Sequence, residues 1–167
     1  MRKIVGILVL LTALMAGCTS IDCPLYHTAD YHITVFGPDE DEEGIGTDTI
    51  WIISRRADGQ DTLLQNALTG IAGFDLPASY MQPEDTFHII RTDTTKAHKG
   101  IYFITSFYVK KENFPHFESV DCQANFFHTI TGVRHDGEYI DSIVILNPSV
   151  TYDQSTEHIA IYFDDLN

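Results

Sequence analysis

Residues 101–110 alternate between two sets of side chains with a period of two residues. This period is typical of a β-strand, because successive side chains of a strand point to opposite faces of a sheet. Phe103 and Phe107 belong to one set, whereas Tyr102 and Tyr108 belong to the other. Since both sets carry bulky side chains, we expect this strand to cross the middle of a sheet or to bend.

The same alternation recurs in short segments, separated by turn signals such as Asp58-Gly59 and Asp136-Gly137. The other predicted strands cover residues 31–35, 49–54, 71–76, 87–89, 127–133, 140–146 and 159–163. Residues 61–68 fit either a strand or a helix, and residues 111–125 are predicted to be irregular. With eight or nine strands and little helix, the chain is predicted to be all-β, a single-domain antiparallel β-sandwich of the Ig-like or a similar kind.

The first 17 residues have the form of a lipoprotein signal peptide. A basic pair is followed by an apolar run, residues 4–15, which is shorter than the about 20 residues that a membrane span needs. Ala16 and Gly17 directly precede Cys18, as in lipoprotein cleavage sites. We therefore expect a signal peptide at 1–17, a lipidated tether at 18–28 with the lipid on Cys18, and the sandwich at 29–167. An ordinary secretory signal with a chance cysteine is the alternative.

Lipid on Cys18 would attach the protein to a membrane of the cell envelope. Thr19 is not the aspartate that retains some lipoproteins in the inner membrane, which favours the outer membrane. Whether the protein faces the periplasm or the outside stays open.

Two further cysteines, Cys23 and Cys122, remain once Cys18 carries lipid. In an oxidising compartment we expect them to form a disulfide, which would close a loop of about a hundred residues and stabilise the fold by of order 4.7 kcal/mol on the chain-entropy model. Free or intermolecular thiols are the alternative.

The mature chain is strongly acidic. Without Arg2 and Lys3, 8 basic residues stand against 24 acidic ones, a net charge of 8 − 24 = −16 with histidines neutral. A nucleic-acid partner is therefore not expected, because binding nucleic acid requires a basic face.

No metal or cofactor is expected from the motifs. The acidic run 39–43 matches several positions of an EF-hand loop, but the twelfth position is Ile50 rather than Glu. Whether this acidic loop binds calcium in a looser way stays open, and a solvated loop is the alternative.

Five residues are candidates for a binding site. His116, Glu118 and Asp121 lie close together along the chain, with His128 just after them, so they could form a zinc or acid-base site. Histidines exposed on a wet face are the alternative reading. Tyr80 lies in a loop flanked by prolines and could stack on a sugar ring.

The C-terminal part, together with the leader, resembles a known group of proteins. The similar segments are Cys122, Phe127-His128-Thr129-Ile130, Ile140-Asp141-Ser142-Ile143, Asn147-Pro148 and Ile161-Tyr162-Phe163. These segments resemble the small uncharacterised lipoproteins of Bacteroidetes, a β-rich domain of unknown function. The resemblance implies a cell-envelope location and a β fold, and it implies no activity and no binding residues.

Three functions stay open at this point. The first is a non-enzymatic, lipid-anchored envelope protein that binds another envelope protein or assists its assembly. The second is a glycan-binding accessory lipoprotein, which loop aromatics clustered with polar groups in a shallow groove would favour. The third and weakest is a hydrolase, which a buried histidine-carboxylate pair in a deep pocket would favour.

Overall fold

The computed structural model describes residues 28–38, 44–56, 58–92 and 100–165. These residues form ten β-strands and no α-helix. The strands are β1 (Asp30–Phe36), β2 (Thr49–Arg55), β3 (Asp61–Thr69), β4 (Gly73–Pro77), β5 (Glu84–Thr92), β6 (Phe103–His116), β7 (Asn125–Asp136), β8 (Ile140–Ile145), β9 (Ser149–Val150) and β10 (Ile159–Phe163). In this described part of the chain there is no helix of the length and apolarity needed to span a bilayer.

The strands form two sheets. The first sheet has the order β4-β1-β10-β8, and the second has the order β3-β2-β5-β6-β7-β9. All pairs are antiparallel except β1 and β10, which run parallel with Ile33 opposite Ile159. The prediction of an all-β, sandwich-like single domain is confirmed. The parallel pair departs from a purely antiparallel sandwich.

One apolar core lies between the sheets. Tyr31 on β1 meets Phe87 on β5 edge-on, with ring centroids 6.2 Å apart, and Phe87 stacks on Phe107 of β6 at 5.0 Å. All three side chains are fully buried, and burying a side chain of this size stabilises the fold by about 1.5–3 kcal/mol. Aromatic contacts between the sheets therefore help to hold them together.

The last strand lies inside the first sheet, as its Ile-rich sequence predicts. β10 lies between β1 and β8, and Ile159, Ile161 and Phe163 are buried. The predicted hairpin turn at Asp58-Gly59 also forms, and Gly59 has the positive φ of +79° that favours glycine. The two-residue strand β9 is not among the predicted strands.

The prediction that residues 111–125 are irregular is wrong for 111–116 and for Asn125, which begins β7. β6 continues through Pro115 to His116 and pairs with β7 along this whole length. The two-residue period continues past Lys110, but a lysine at the inward position 111 and a proline at 115 hide the strand in the sequence. The register shift at this point lies in β7, where Thr131 is the extra residue. The expectation that the strand at 101–110 crosses the middle of a sheet is confirmed, since β6 lies between β5 and β7.

The helix alternative for residues 61–68 is also wrong. The segment is β3, which pairs with β2 and buries Leu64 and Leu68 partly against the core. A spacing of four also fits one face of a strand, because side chains alternate with a period of two. Along this segment the pairing of β3 with β2 shifts register twice, and Ala67 has a φ of 53°.

Several predictions fall outside the described residues. They are the signal peptide, the lipidation of Cys18, the position of Cys23 and the acidic run 39–43. The proposed limits of the leader, the tether and the domain therefore stay predictions.

Candidate functional site

An open cleft of about 480 Å³ lies where the loop between β4 and β5 meets the start of β7. The polar and aromatic residues that line the cleft come from three parts of the chain. They are Thr28, Tyr80, Gln123, Asn125, Phe126 and His128. Two of the five candidate residues, Tyr80 and His128, therefore line the same cleft.

Two aromatic rings form a stacked platform at the cleft. Tyr80 comes from the loop after β4, and Phe126 comes from β7, where it pairs with Pro115 of β6. Their ring centroids are 5.2 Å apart and their planes differ by 18°. Tyr80 remains 59% exposed. Phe126 therefore supports the tyrosine ring while leaving much of its surface accessible to a ligand.

The hydrogen bonds of His128 fix which ring nitrogen carries the proton. Asn113 donates from Nδ2 to the backbone oxygens of Tyr80, at 3.0 Å, and Gln82, at 3.2 Å. The Oδ1 of Asn113 must therefore be an acceptor, and it lies 2.8 Å from Nδ1 of His128. Nδ1 of His128 then carries the hydrogen, so the neutral ring has an acceptor lone pair on Nε2.

His128 is neutral at physiological pH. Burial of the ring, followed by the positive charge of Lys111, lowers the pKa of His128 to about 4. Both effects disfavour the imidazolium ion. The cleft therefore contains a neutral imidazole acceptor, and Gln123 also lines it. Asn125 lies on the opposite face of β7, where its side chain interacts with Tyr152.

A buried ion pair supports the loop that carries Tyr80. Lys111 Nζ lies 2.7 Å from Asp85 Oδ2, with side chains only 0% and 4% exposed. The same carboxylate accepts hydrogen bonds from the Tyr31 hydroxyl at 2.8 Å and the Ser79 backbone N–H at 3.2 Å, while Lys111 also donates to the Gln82 carbonyl. Burial, together with Asp85, raises the pKa of Tyr31 above its ordinary value. This network attaches both flanks of Tyr80 to the core.

The structure separates the remaining candidate residues from the cleft. Nε2 of His116 lies 3.2 Å from Oε1 of Glu118, both side chains are 38% exposed, and the His116 ring stacks on Phe127 at 4.1 Å. Because side chains alternate along a strand, Phe127 and His128 belong to opposite faces of β7. Asp121 lies on the exposed loop after β6.

Neither metal nor acid-base chemistry gains support from these positions. Across the described ranges, no group of three His, Cys, Asp or Glu side chains could hold a metal ion. The two histidine-carboxylate pairs given by the structure, His116–Glu118 and His32–Asp75, each include a carboxylate that is open to solvent.

Sequence reasoning missed Gln123 and Phe126, because residues 111–125 were expected to be irregular and Phe126 precedes the strand predicted at 127–133. Asn113 and Asp85 were missed as well, since a lone polar residue in a strand shows no sign of its partner. The one usable signal is Asn125-Phe126-Phe127, where adjacent aromatics must point to opposite faces and only one can enter the core. Cys122 directly precedes the cleft residues, and its predicted partner Cys23 lies outside the described part of the chain, so that pairing stays a prediction.

A family model described as a family of unknown function, DUF6452, matches residues 53–163. The match covers 163 − 53 + 1 = 111 of the 167 residues. The chain belongs to the DUF6452 family. Tyr80, Phe126 and His128 all lie inside the part shared with DUF6452. Searches of curated proteins and of solved structures found no match.

Proposed function

We propose that this DUF6452 protein is a non-enzymatic, lipid-anchored protein of the cell envelope whose cleft binds a carbohydrate ring. The observation that carries the proposal is the Tyr80–Phe126 platform beside a neutral His128 acceptor. Carbohydrate rings have an apolar C–H face and hydroxyl groups at their edge. The stacked rings fit the apolar face of a sugar, and the imidazole of His128 and the amide of Gln123 fit its hydroxyl groups.

Each polar group in the cleft has a defined role in this proposal. A sugar hydroxyl donates its hydrogen to Nε2 of His128, because that nitrogen carries no hydrogen. The side-chain amide of Gln123, which lines the cleft, can donate to and accept from neighbouring hydroxyls. The sugar stacks on the exposed surface of Tyr80, and Phe126 holds that ring in place.

The absence of a buried histidine-carboxylate pair in the cleft supports binding rather than hydrolysis. Within the described residues that line the cleft, His128 bonds to the amide of Asn113 and not to a carboxylate. An amide holds the ring in one tautomer but does not stabilise an imidazolium, which general-base catalysis would form.

Attachment to the envelope is also part of the proposal. Cys122 is disulfide-bonded, and the chain has only two other cysteines, Cys18 and Cys23. If lipid occupies Cys18, Cys23 is the intramolecular partner that remains. Fatty-acid labelling of cells tests the lipid on Cys18. The mass of the mature protein, alkylated with and without prior reduction, tests the disulfide, and alkylation of Cys23 before reduction contradicts it.

Carbohydrate binding is tested by titrating the detergent-solubilised protein with oligosaccharides from its own envelope. Tyr80→Ala should weaken binding about tenfold, which corresponds to about 1.4 kcal/mol. Tyr102→Ala is the matched control, because Tyr102 is equally exposed, at 61%, and does not line the cleft. If Tyr80→Ala binds as tightly as the wild-type protein, or if no oligosaccharide binds, the proposal is wrong.

Binding of an envelope protein partner is the second candidate. Phe117 is 60% exposed and Val120 is 96% exposed on the loop that precedes the cleft. Apolar side chains this exposed are favourable sites for protein contacts. Pulldown of the lipidated protein from its own envelope should recover a partner that a Val120→Asp variant loses. Recovery of nothing above background contradicts this candidate.

A further inference from the structure

An apolar surface that shares no residue with the cleft lies on the outward face of the larger sheet. Trp51 on β2 is directly opposite Ile90 on β5, and Ile90 is opposite Ile104 on β6. Residues paired across antiparallel strands point to the same face. Ile104 is 61% exposed, which places this row on the solvent side of the sheet.

Neighbouring side chains widen the row into a patch. Tyr102 meets Trp51 edge-on, with ring centroids 6.1 Å apart. Ile53 lies two residues beyond Trp51 on the same face, and it is opposite Leu63, an exposed leucine of β3. We call these side chains the outer apolar face. Its six members are Trp51, Ile53, Leu63, Ile90, Tyr102 and Ile104.

An outer face of this composition is unusual for a sheet with one solvated side. Antiparallel sheets of this kind normally alternate apolar residues toward the core with polar residues toward water. A contiguous apolar patch on the solvent side marks an interaction site more often than scattered apolar residues do. We therefore expect a partner to cover the outer apolar face.

Charge indicates what kind of partner fits. Beyond the apolar row, the same face carries Arg134, which pairs with Glu84 at 3.0 Å, and Arg55, which pairs with Asp61 at 2.8 Å. These pairs are balanced, although the mature chain as a whole has a charge of −16. A second copy of this chain is thus not repelled at this face, because each arginine is neutralised by a carboxylate of its own chain.

The size of the face also suits a dimer. The whole outward side of strands β3, β2, β5, β6 and β7, at about 4.8 Å spacing and over a length of about seven residues at 3.4 Å each, spans roughly 24 Å in each direction. This projection is about 580 Å², and side-chain relief brings the accessible area near the about 800 Å² per partner of a standard interface.

We propose that the outer apolar face packs against the same face of a second copy and forms a symmetric dimer. With a two-fold axis along β5, Ile90 meets Ile90 and Trp51 meets Ile104 of the other copy. The ion-paired ends then lie at the rim, where exposed charges cost little. This inference does not depend on the proposed carbohydrate site.

Trp51 is the only tryptophan in the chain, so its fluorescence reports on this interface alone. The lipidated full-length mature protein, in mild detergent, should show twice the monomer mass by light scattering after subtraction of the micelle. On dilution from about 100 μM to about 1 μM, which spans micromolar affinity, the Trp51 emission should shift to longer wavelength as the face is exposed.

Ile104→Glu should give a monomer at all concentrations, with Trp51 accessible to acrylamide. Val144→Glu is the matched control, because Val144 is an exposed apolar strand residue of the other sheet, and it should stay dimeric. Tyr102→Ser is a milder second variant, at a site outside any strand, and should weaken dimerisation without unfolding the protein. A wild-type protein that is monomeric at about 100 μM, or a glutamate at 104 that leaves the dimer intact, overturns the proposal.

Discussion

Acidification should destabilise this fold through one buried ring, His128. The ring is neutral in the folded protein because burial and Lys111 lower its pKa to about 4, whereas an unfolded histidine has a pKa of about 6.5. As the pH falls through 6.5, the unfolded chain binds a proton that the folded chain does not. Stability is therefore full above pH 6.5 and is lost as the pH falls toward 4, where the folded protein also takes up the proton.

The size of this loss follows from the two pKa values of His128. A difference of about 2.5 units at 1.36 kcal/mol per unit gives a maximum of about 3 kcal/mol. Between pH 7 and pH 5 the same linkage relation gives about 2 kcal/mol. For a domain whose stability is about 5–15 kcal/mol, this shift in the free energy of unfolding is readily measured.

The assay is guanidinium unfolding at pH 7 and pH 5, comparing wild type with His128→Asn. Asparagine keeps a donor for Oδ1 of Asn113 but does not titrate. The wild-type protein should therefore lose about 2 kcal/mol more than the variant between the two pH values. His116→Gln is the control and should keep the wild-type loss, since that ring lies on the outer surface. Equal losses in the wild-type protein and His128→Asn would refute the reasoning.

Two further predictions concern the core. Asp85→Asn should lower the free energy of unfolding by about 3–5 kcal/mol, because it leaves the charge of Lys111 buried without a counter-ion, whereas Asp61→Asn in an exposed ion pair should barely move the denaturation midpoint. Gly73→Ala should destabilise by about 1–3 kcal/mol, because its Cβ would lie 2.6 Å from a backbone oxygen of β1. Gly132→Ala, with open space around its Cβ, should not destabilise, and equal midpoints for the two alanine variants would contradict this account.

The sheet interior was predictable because burial leaves a simple pattern in sequence. Ile159, Ile161 and Phe163 recur at every second position, and this pattern suffices to place β10 inside a sheet. Which strands pair with each other was harder to predict from the sequence. The parallel pairing of β1 with β10 joins residues 126 apart at Ile33 and Ile159, and nothing local in either strand selects that partner.

The continuation of β6 was not predictable for a different reason. The two-residue period continues through Lys111, which points inward like Phe107 and Val109, but a charged residue at an inward position hides this continuation in the sequence. A lysine in a core position normally argues against a strand. Here the lysine is tolerated because Asp85, from the neighbouring strand, supplies the counter-charge.

In the candidate site too, single residues could be predicted from their local sequence, whereas their partners from distant strands could not. Tyr80 was identifiable, because a Pro-flanked loop exposes its side chain. His128 was also singled out, but with the wrong neighbours, since nearness in sequence suggested His116 and Glu118. Alternation along β7 sends His128 to the face opposite Phe127 and toward Asn113. The residues that define its chemistry are brought together only by pairing of strands.

The sequence of β2 is apolar on both sides, which is the pattern of a strand covered on both faces. Ile50 and Ile52 are fully buried in the core, which accounts for one side. Trp51 and Ile53 account for the other side, and in the single chain they remain partly exposed. Because β5 and β6 place Ile90 and Ile104 in the same row, the two-sided pattern is shared by three adjacent strands. In a single chain only the inward side of these three strands is covered. In the proposed dimer the sheet of the second copy covers the outward side as well, which accounts for the apolar residues there.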